Sequence, residues 1–96
     1  MVLLTGQAKK KTAVFISGRG SNLKSLIKFS KLKKAPILIE IVISNNSKSK
    51  GLRYAKLYKI KKKIIKFENK ILAEKKILTE LKKHKIDLIC LAGFMK

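Results

Sequence analysis

The chain has 96 residues, 46% of them hydrophobic, and its 25 basic residues against five acidic ones give a formal net charge of +20. That length allows one modest domain and excludes two, and the apolar fraction excludes a wholly disordered chain. The charge attracts anions of every kind: nucleic acid, an acidic membrane surface or a phosphorylated metabolite.

Residues 1–11, "MVLLTGQAKKK", read as a flexible basic tail. Their apolar stretch is too short for a signal peptide, and the charges follow it rather than precede it. "TAVFIS" (12–17) is short, apolar and bounded by glycine, as a buried strand is. "SNLKSLIKFSKL" then places Leu23, Leu26, Ile27 and Ser30 at helical spacing with lysines facing out. "PILIEIVIS" is a second strand, rich in β-branched residues, and closes at the polar loop "NNSKSKG".

"GLRYAKLYK" predicts a short helix with Leu52 and Ala55 on one side, and "KKIIKF" a short strand. Asn69 then predicts an N-cap for "KILAEKKILTELKKH", whose stripe is Ile77, Leu78 and Leu81. His84, at the end of that helix, reads as a surface cation favoured by the helix dipole, and Asp87 as the polar end of a strand. "IDLICLAGF" is the last strand. Its single Cys90 cannot form an internal disulfide and reads as a buried, reduced thiol of a cytosolic protein. No metal-ligand cluster and no run long enough to span a membrane is present in the sequence.

The order β-α-β-α-β-α-β implies right-handed crossovers and an α/β fold: a Rossmann-like, doubly wound parallel sheet of spatial order 3-2-1-4. The continuous apolar runs 37–43 and 86–92 predict strands buried on both faces. Ligands in such sheets bind beyond the carboxyl ends of the strands, where strand order reverses between strands 1 and 4. The sequence runs out at "LAGFMK", directly after strand 4, so residues 12–96 read as a single domain truncated after its fourth strand.

The base is nearly all lysine, 23 against Arg19 and Arg53. Base-edge and bidentate phosphate recognition favour arginine, and lysine shares A/T-rich codons with the abundant Ile and Asn. The charge thus fits either a compositional bias or a surface for anions. A small basic nucleic-acid-binding protein is the alternative reading of the whole chain. Against it, the six aromatics fall mostly at core positions rather than among the surface lysines, where bases would stack.

"SGRGSN" (17–22) carries the chemistry. Gly18 and Gly20 permit conformations and close approaches that a Cβ forbids. Ser21 and Asn22 stand where a helix begins, so free N–H groups and the positive helix end converge there. The result is a generic anion site suited to a phosphate, or else a tight turn capped by Ser21 or Asn22. A dinucleotide fingerprint needs glycine at Leu23, and a Walker A loop needs a Gly-Lys-Ser/Thr that Lys24 does not provide.

"VFISGRGSNLKSLI", "VISNNSKSKGLRYA" and "IDLICLAGFMK", in that order, resemble the N-terminal half of the phosphoribosylglycinamide formyltransferases, also called glycinamide ribonucleotide transformylases. The resemblance covers nearly everything from Thr12 to Lys96. The related deformylase and methionyl-tRNA formyltransferase share the fold but are not known for the G-x-G-S-N-L turn.

The resemblance implies transfer of a formyl group from 10-formyltetrahydrofolate to glycinamide ribonucleotide, in the one-carbon chemistry of de novo purine (IMP) synthesis. It assigns Gly20, Ser21 and Asn22 to the substrate phosphate, and Lys70, Met95 and Lys96 to folate. Lys70 and Lys96 stand where relatives carry arginine, which keeps the charge and loses the fork. From the residues alone, Met95 reads equally as a core-edge residue and Lys70 as a solvated helix-start side chain. The catalytic Asn and His of an Asn-Ile-His-Pro segment, and a later Asp, have no counterpart in this sequence. Catalytic residues are therefore none, no metal is implied, and these residues alone are expected to be inactive. The resemblance further implies a cytoplasmic enzyme, with the missing C-terminal half supplied by further sequence or by a separate chain.

Overall fold

The structure, a computed structural model, describes residues 9–18 and 21–92. Most of the expected tail therefore lies outside the described residues, as do Gly20, Met95 and Lys96. The elements run β1 (Lys10–Ile16), α1 (Ser21–Ser30), β2 (Ile37–Ser44), α2 (Leu52–Leu57), β3 (Lys61–Ile64), α3 (Lys70–Lys83) and β4 (Leu88–Leu91). All four strands are parallel in the order β3-β2-β1-β4, as the alternation of strand and helix patterns predicts. β1 begins at Lys10, two residues before the apolar run, because Lys10 and Lys11 pair with Ile37 and Leu38.

Two apolar clusters sandwich the sheet. On one face Val14, Ile16, Ile39 and Val42 pack against Leu23 and Ile27 of α1 and Leu52 and Ala55 of α2. On the other, Ala13, Phe15, Ile41, Ile43 and Ile65 pack against Ala73 of α3, with Ile77 and Leu81 at the margin. Leu78, expected in the α3 stripe, is instead 55% exposed. Asn69 caps α3 as predicted, its side chain accepting from the Leu72 N–H at 3.1 Å.

Both α2 and α3 end in the same motif without glycine. Lys59 and Lys85 take positive φ values of 57° and 53°. The next residues, Ile60 and Ile86, donate their N–H groups back to the Ala55 and Leu81 carbonyls at 2.8 and 2.9 Å.

The β1–β2 register skips one residue. Thr12 pairs with Ile39 and Ala13 with Ile41, leaving Glu40 as the extra residue of a β-bulge. Strict alternation would put Ile39 and Ile41 on one face. The bulge sends them to opposite clusters. Glu40 lies 3.9 Å from the Lys61 ammonium and 3.6 Å from His84 Nδ1.

His84 corrects a sequence expectation. Its ring is only 10% exposed and stands between two carboxylates, with Nε2 3.4 Å from Glu80. The helix end tucks under the sheet, where the sequence suggested an open surface. Asp87 behaves as expected: its carboxylate accepts the Lys11 N–H at 3.1 Å, and its own N–H reaches the Lys11 carbonyl.

β4 departs furthest from expectation. Continuous apolar sequence predicts burial on both faces, yet Leu88, Ile89 and Leu91 are 39%, 48% and 68% exposed. Among the described residues β4 pairs only with β1, and of the apolar run 86–92 only Ile86, Cys90 and Ala92 lean against a cluster. Cys90 is accordingly half-buried rather than buried.

Candidate substrate-phosphate site

Parallel strands send all their carboxyl ends to one edge, so the loops after β1, β2 and β3 gather there with the starts of α1, α2 and α3. Ser21 opens α1, and Asn22, exposed, follows it. The first N–H groups of that helix have no partners within the helix and face this edge. Gly20 falls outside the described residues, so the geometry places two of the three expected phosphate residues. Gly18 does not use the freedom expected of it: a Cβ there would meet nothing within 4 Å, and its φ lies outside the left-handed region.

The turn is held from the neighbouring loop. Ser17 Oγ donates to Asn45 Oδ1 at 2.8 Å. The Gly18 carbonyl accepts twice, from Ser49 Oγ at 2.6 Å and from the Gly51 N–H at 3.1 Å. The neighbouring loop is itself braced. The fully buried Ser44 hydroxyl donates to the Asn46 carbonyl at 2.9 Å and accepts the Asn46 N–H at 3.1 Å, while Asn46 Oδ1 takes the Lys48 N–H at 2.9 Å.

Residues 45–51 read from sequence only as a polar loop. The missed signal is topological: short hydroxyl and amide side chains after β2 sit beside the β1 turn whenever those strands are neighbours.

The electrostatics suit an anion. Neither α1 nor α2 has an acidic residue in its first turn, and the loops after β1 and β2 contain none. Lys24, Lys48, Lys50 and Arg53 lie in or near them. α3 also lacks an acidic first turn and opens with Lys70, an exposed cation at the positive end of a helix. The helix dipole disfavours that placement, so local physics gives no reason for it. Grooves of about 320 and 360 Å³ lie elsewhere, between β3 and α3, and each is lined by Ile64, by lysines and by one glutamate, Glu68 or Glu80. His84 closes the opposite end of α3, toward the amino ends of the strands and away from the site. Among the described residues no group of three His, Cys, Asp or Glu side chains could hold a metal ion.

The Formyl transferase family profile matches residues 10–96. The chain belongs to the formyl transferase family. Similar proteins include phosphoribosylglycinamide formyltransferase of Haemophilus influenzae, 38% identical over 90 residues, which covers 91% of this chain and 42% of that protein. The human trifunctional purine biosynthetic protein adenosine-3 is 37% identical over 91 residues, 92% of this chain and 9% of its own length.

Among solved structures of this formyl transferase type, the phosphoribosylglycinamide formyltransferase of Anaplasma phagocytophilum superposes with a TM-score of 0.82 at 42% identity, covering 93% of this chain and 42% of that one. That of Brucella melitensis gives 0.88 at 35%, covering 93% and 48%. The chain thus spans less than half the length of the relatives it matches.

Proposed function

We propose that residues 12–96 form the N-terminal, substrate-phosphate half of a phosphoribosylglycinamide formyltransferase acting in purine synthesis. The observation that carries this reading is the braced β1–α1 turn at the carboxyl edge, in a chain whose relatives bear that enzyme's name. Gly20, Ser21 and Asn22 hold the phosphate of glycinamide ribonucleotide through backbone N–H groups at the start of α1. Lys70, Met95 and Lys96 contribute one edge of the pocket for 10-formyltetrahydrofolate. Lys70 suits an anionic group of that co-substrate, which would also offset its unfavourable place at the helix start.

In the reaction, the substrate amine attacks the formyl carbon, a tetrahedral oxyanion forms, and its collapse expels the folate nitrogen. A proton passes from the attacking to the leaving nitrogen. This chain contributes binding and orientation rather than proton transfer. Its only histidine stands between Glu40 and Glu80, at the far end of α3. The oxyanion and proton-transfer groups belong to the remaining half, which covers the exposed apolar side chains of β4. No helix among the described residues is long and apolar enough to cross a membrane, in keeping with a cytoplasmic enzyme.

The nucleic-acid alternative finds little support in the aromatics. Phe15 is buried, but Tyr54, Tyr58 and Phe67 are half-buried and Phe29 is 44% exposed, so fewer aromatics lie in the core than the sequence suggested. The Tyr54 and Tyr58 rings are already covered by Lys24 and Lys31, 5.8 and 5.6 Å from the centroids.

Calorimetric titration with glycinamide ribonucleotide and with a single-stranded oligonucleotide separates the two readings. Saturable ribonucleotide binding that is lost on Asn22→Asp is expected. Oligonucleotide binding with a steep salt dependence and no ribonucleotide binding would replace this reading with the alternative. The 96 residues alone are expected to show no formyl transfer, and turnover above background would refute that.

A further inference from the structure

We propose that the trough between β3 and α3 is a docking surface for an acidic segment of a partner protein, one that carries apolar side chains among its carboxylates. The trough stands apart from the turn after β1, and the inference does not depend on the substrate-phosphate reading.

The two grooves beside α3 share Ile64 and Lys76 and so form one continuous trough. Its α3 wall runs from Asn69 through Leu72, Lys75 and Lys76 to Glu80, one flank of the helix by helical spacing. That stretch of helix spans about 16 Å, the length of roughly five extended residues.

Four lysines line the trough: Lys63 from β3, Lys66 from the loop after it, and Lys75 and Lys76 from α3. Only Glu68 and Glu80 oppose them, so the lining is net positive. Glu80 is already engaged, 3.9 Å from the Lys63 ammonium and 3.4 Å from His84 Nε2. Among the described residues the ammonium groups of Lys66, Lys75 and Lys76 have no carboxylate within 4.0 Å.

Charge alone would make this one more solvated lysine surface. Ile64 and Leu72 set it apart, since both line the trough and are 39% and 49% exposed. Large aliphatic side chains left open between cations fit a ligand that brings apolar groups and carboxylates together.

A nucleic acid fits less well. No arginine and no aromatic ring lines the trough, so it has neither a fork for a phosphate nor a platform for a base. A sugar–phosphate backbone also brings nothing apolar to Ile64 and Leu72. The exposed Lys61, Lys62 and Lys63 of β3 repel a second copy of this chain, which leaves a separate acidic protein as the occupant.

The test follows fluorescence anisotropy of a short labelled peptide of alternating glutamate and leucine, titrated with the 96-residue chain at physiological ionic strength. An all-glutamate peptide of the same length and a single-stranded oligonucleotide are run beside it. The alternating peptide is expected to bind more tightly than the all-glutamate one, despite its smaller charge. Lys75→Glu with Lys76→Glu is expected to weaken it about tenfold. Lys28→Glu with Lys33→Glu makes the same charge change in and after α1, across the sheet, and is expected to weaken it less than about threefold. Leu72→Ala is expected to weaken the alternating peptide and leave the all-glutamate peptide unchanged. Lys66→Glu, outside the helix, carries the charge arm if the α3 pair folds poorly.

Equal weakening by the two charge pairs, or a preference for the all-glutamate peptide, would overturn the inference, because the field of the whole chain would then account for the binding. So would no binding of the alternating peptide. Tighter binding of the oligonucleotide, lost through the same lysines, would overturn it in favour of a nucleic acid.

Discussion

The two edges of the sheet are built on opposite plans. β3 presents Lys61, Lys62 and Lys63 in succession, all exposed, with Ile64 at its end. β4 presents Leu88, Ile89 and Leu91, also exposed, with no charge among its four residues. Lysine on an edge strand is a common guard against unwanted strand pairing. Bare leucine and isoleucine invite it. The difference shows that β3 is finished as an outer edge, whereas β4 carries the side chains of an inner strand.

The strongest test of that contrast is to delete apolar volume near each edge. Ile65, just after β3, is 1% exposed within the α3-side cluster, so Ile65→Ala should cost about 2–5 kcal/mol in chemical denaturation. Leu91→Ala should cost less than about 0.5 kcal/mol in the 96-residue chain, because the side chain is 68% exposed. In a protein that also carries the proposed C-terminal half, Leu91→Ala should rise toward the cost at Ile65. An unchanged small cost there would mean that nothing covers β4.

A smaller effect sharpens the β3 side. α3 flanks that edge and starts from the Asn69 cap, so Asn69→Ala should lower stability by about 1 kcal/mol, measured by the shift in denaturation midpoint. Loss of the cap should leave the behaviour of the β4 edge, read by sedimentation, unaltered.

Much of this was legible in the sequence, for physical reasons that differ by element. Strand order followed from the alternation of patterns, because crossover handedness leaves few alternatives. Asn69 and Asp87 were legible because each acts on backbone close to a recognisable boundary. His84 was not, since its surroundings come from Glu40, which is distant in sequence. The exposure of β4 could not be read from its composition, because an apolar run records what a strand is made to meet. The helix ends after Leu57 and Lys83 gave no glycine signal, because lysine holds the left-handed position at both. In the candidate site, the turn after β1 was visible as a motif, while its bracing depends on Ser49 meeting Gly18 from the loop after the neighbouring strand.

The bulge in β2 has a consequence for how the chain tolerates change in length. Losing one residue from a central strand normally turns every side chain beyond the cut onto the wrong face. Here Ile39 and Ile41 already serve opposite faces, with Glu40 between them as the extra residue. Removing Glu40 would make them consecutive, restore an unbroken ladder against β1, and leave both clusters with the same members. The loss would fall on two contacts: the pair with the exposed Lys61, which is worth little, and one side of the largely buried His84 ring, which keeps Glu80 as its other neighbour. Deleting Ile43, by contrast, should unfold the protein, and circular dichroism of the two deletions would show it. The strand thus holds one spare residue, and the only acidic side chain among the described strands occupies it.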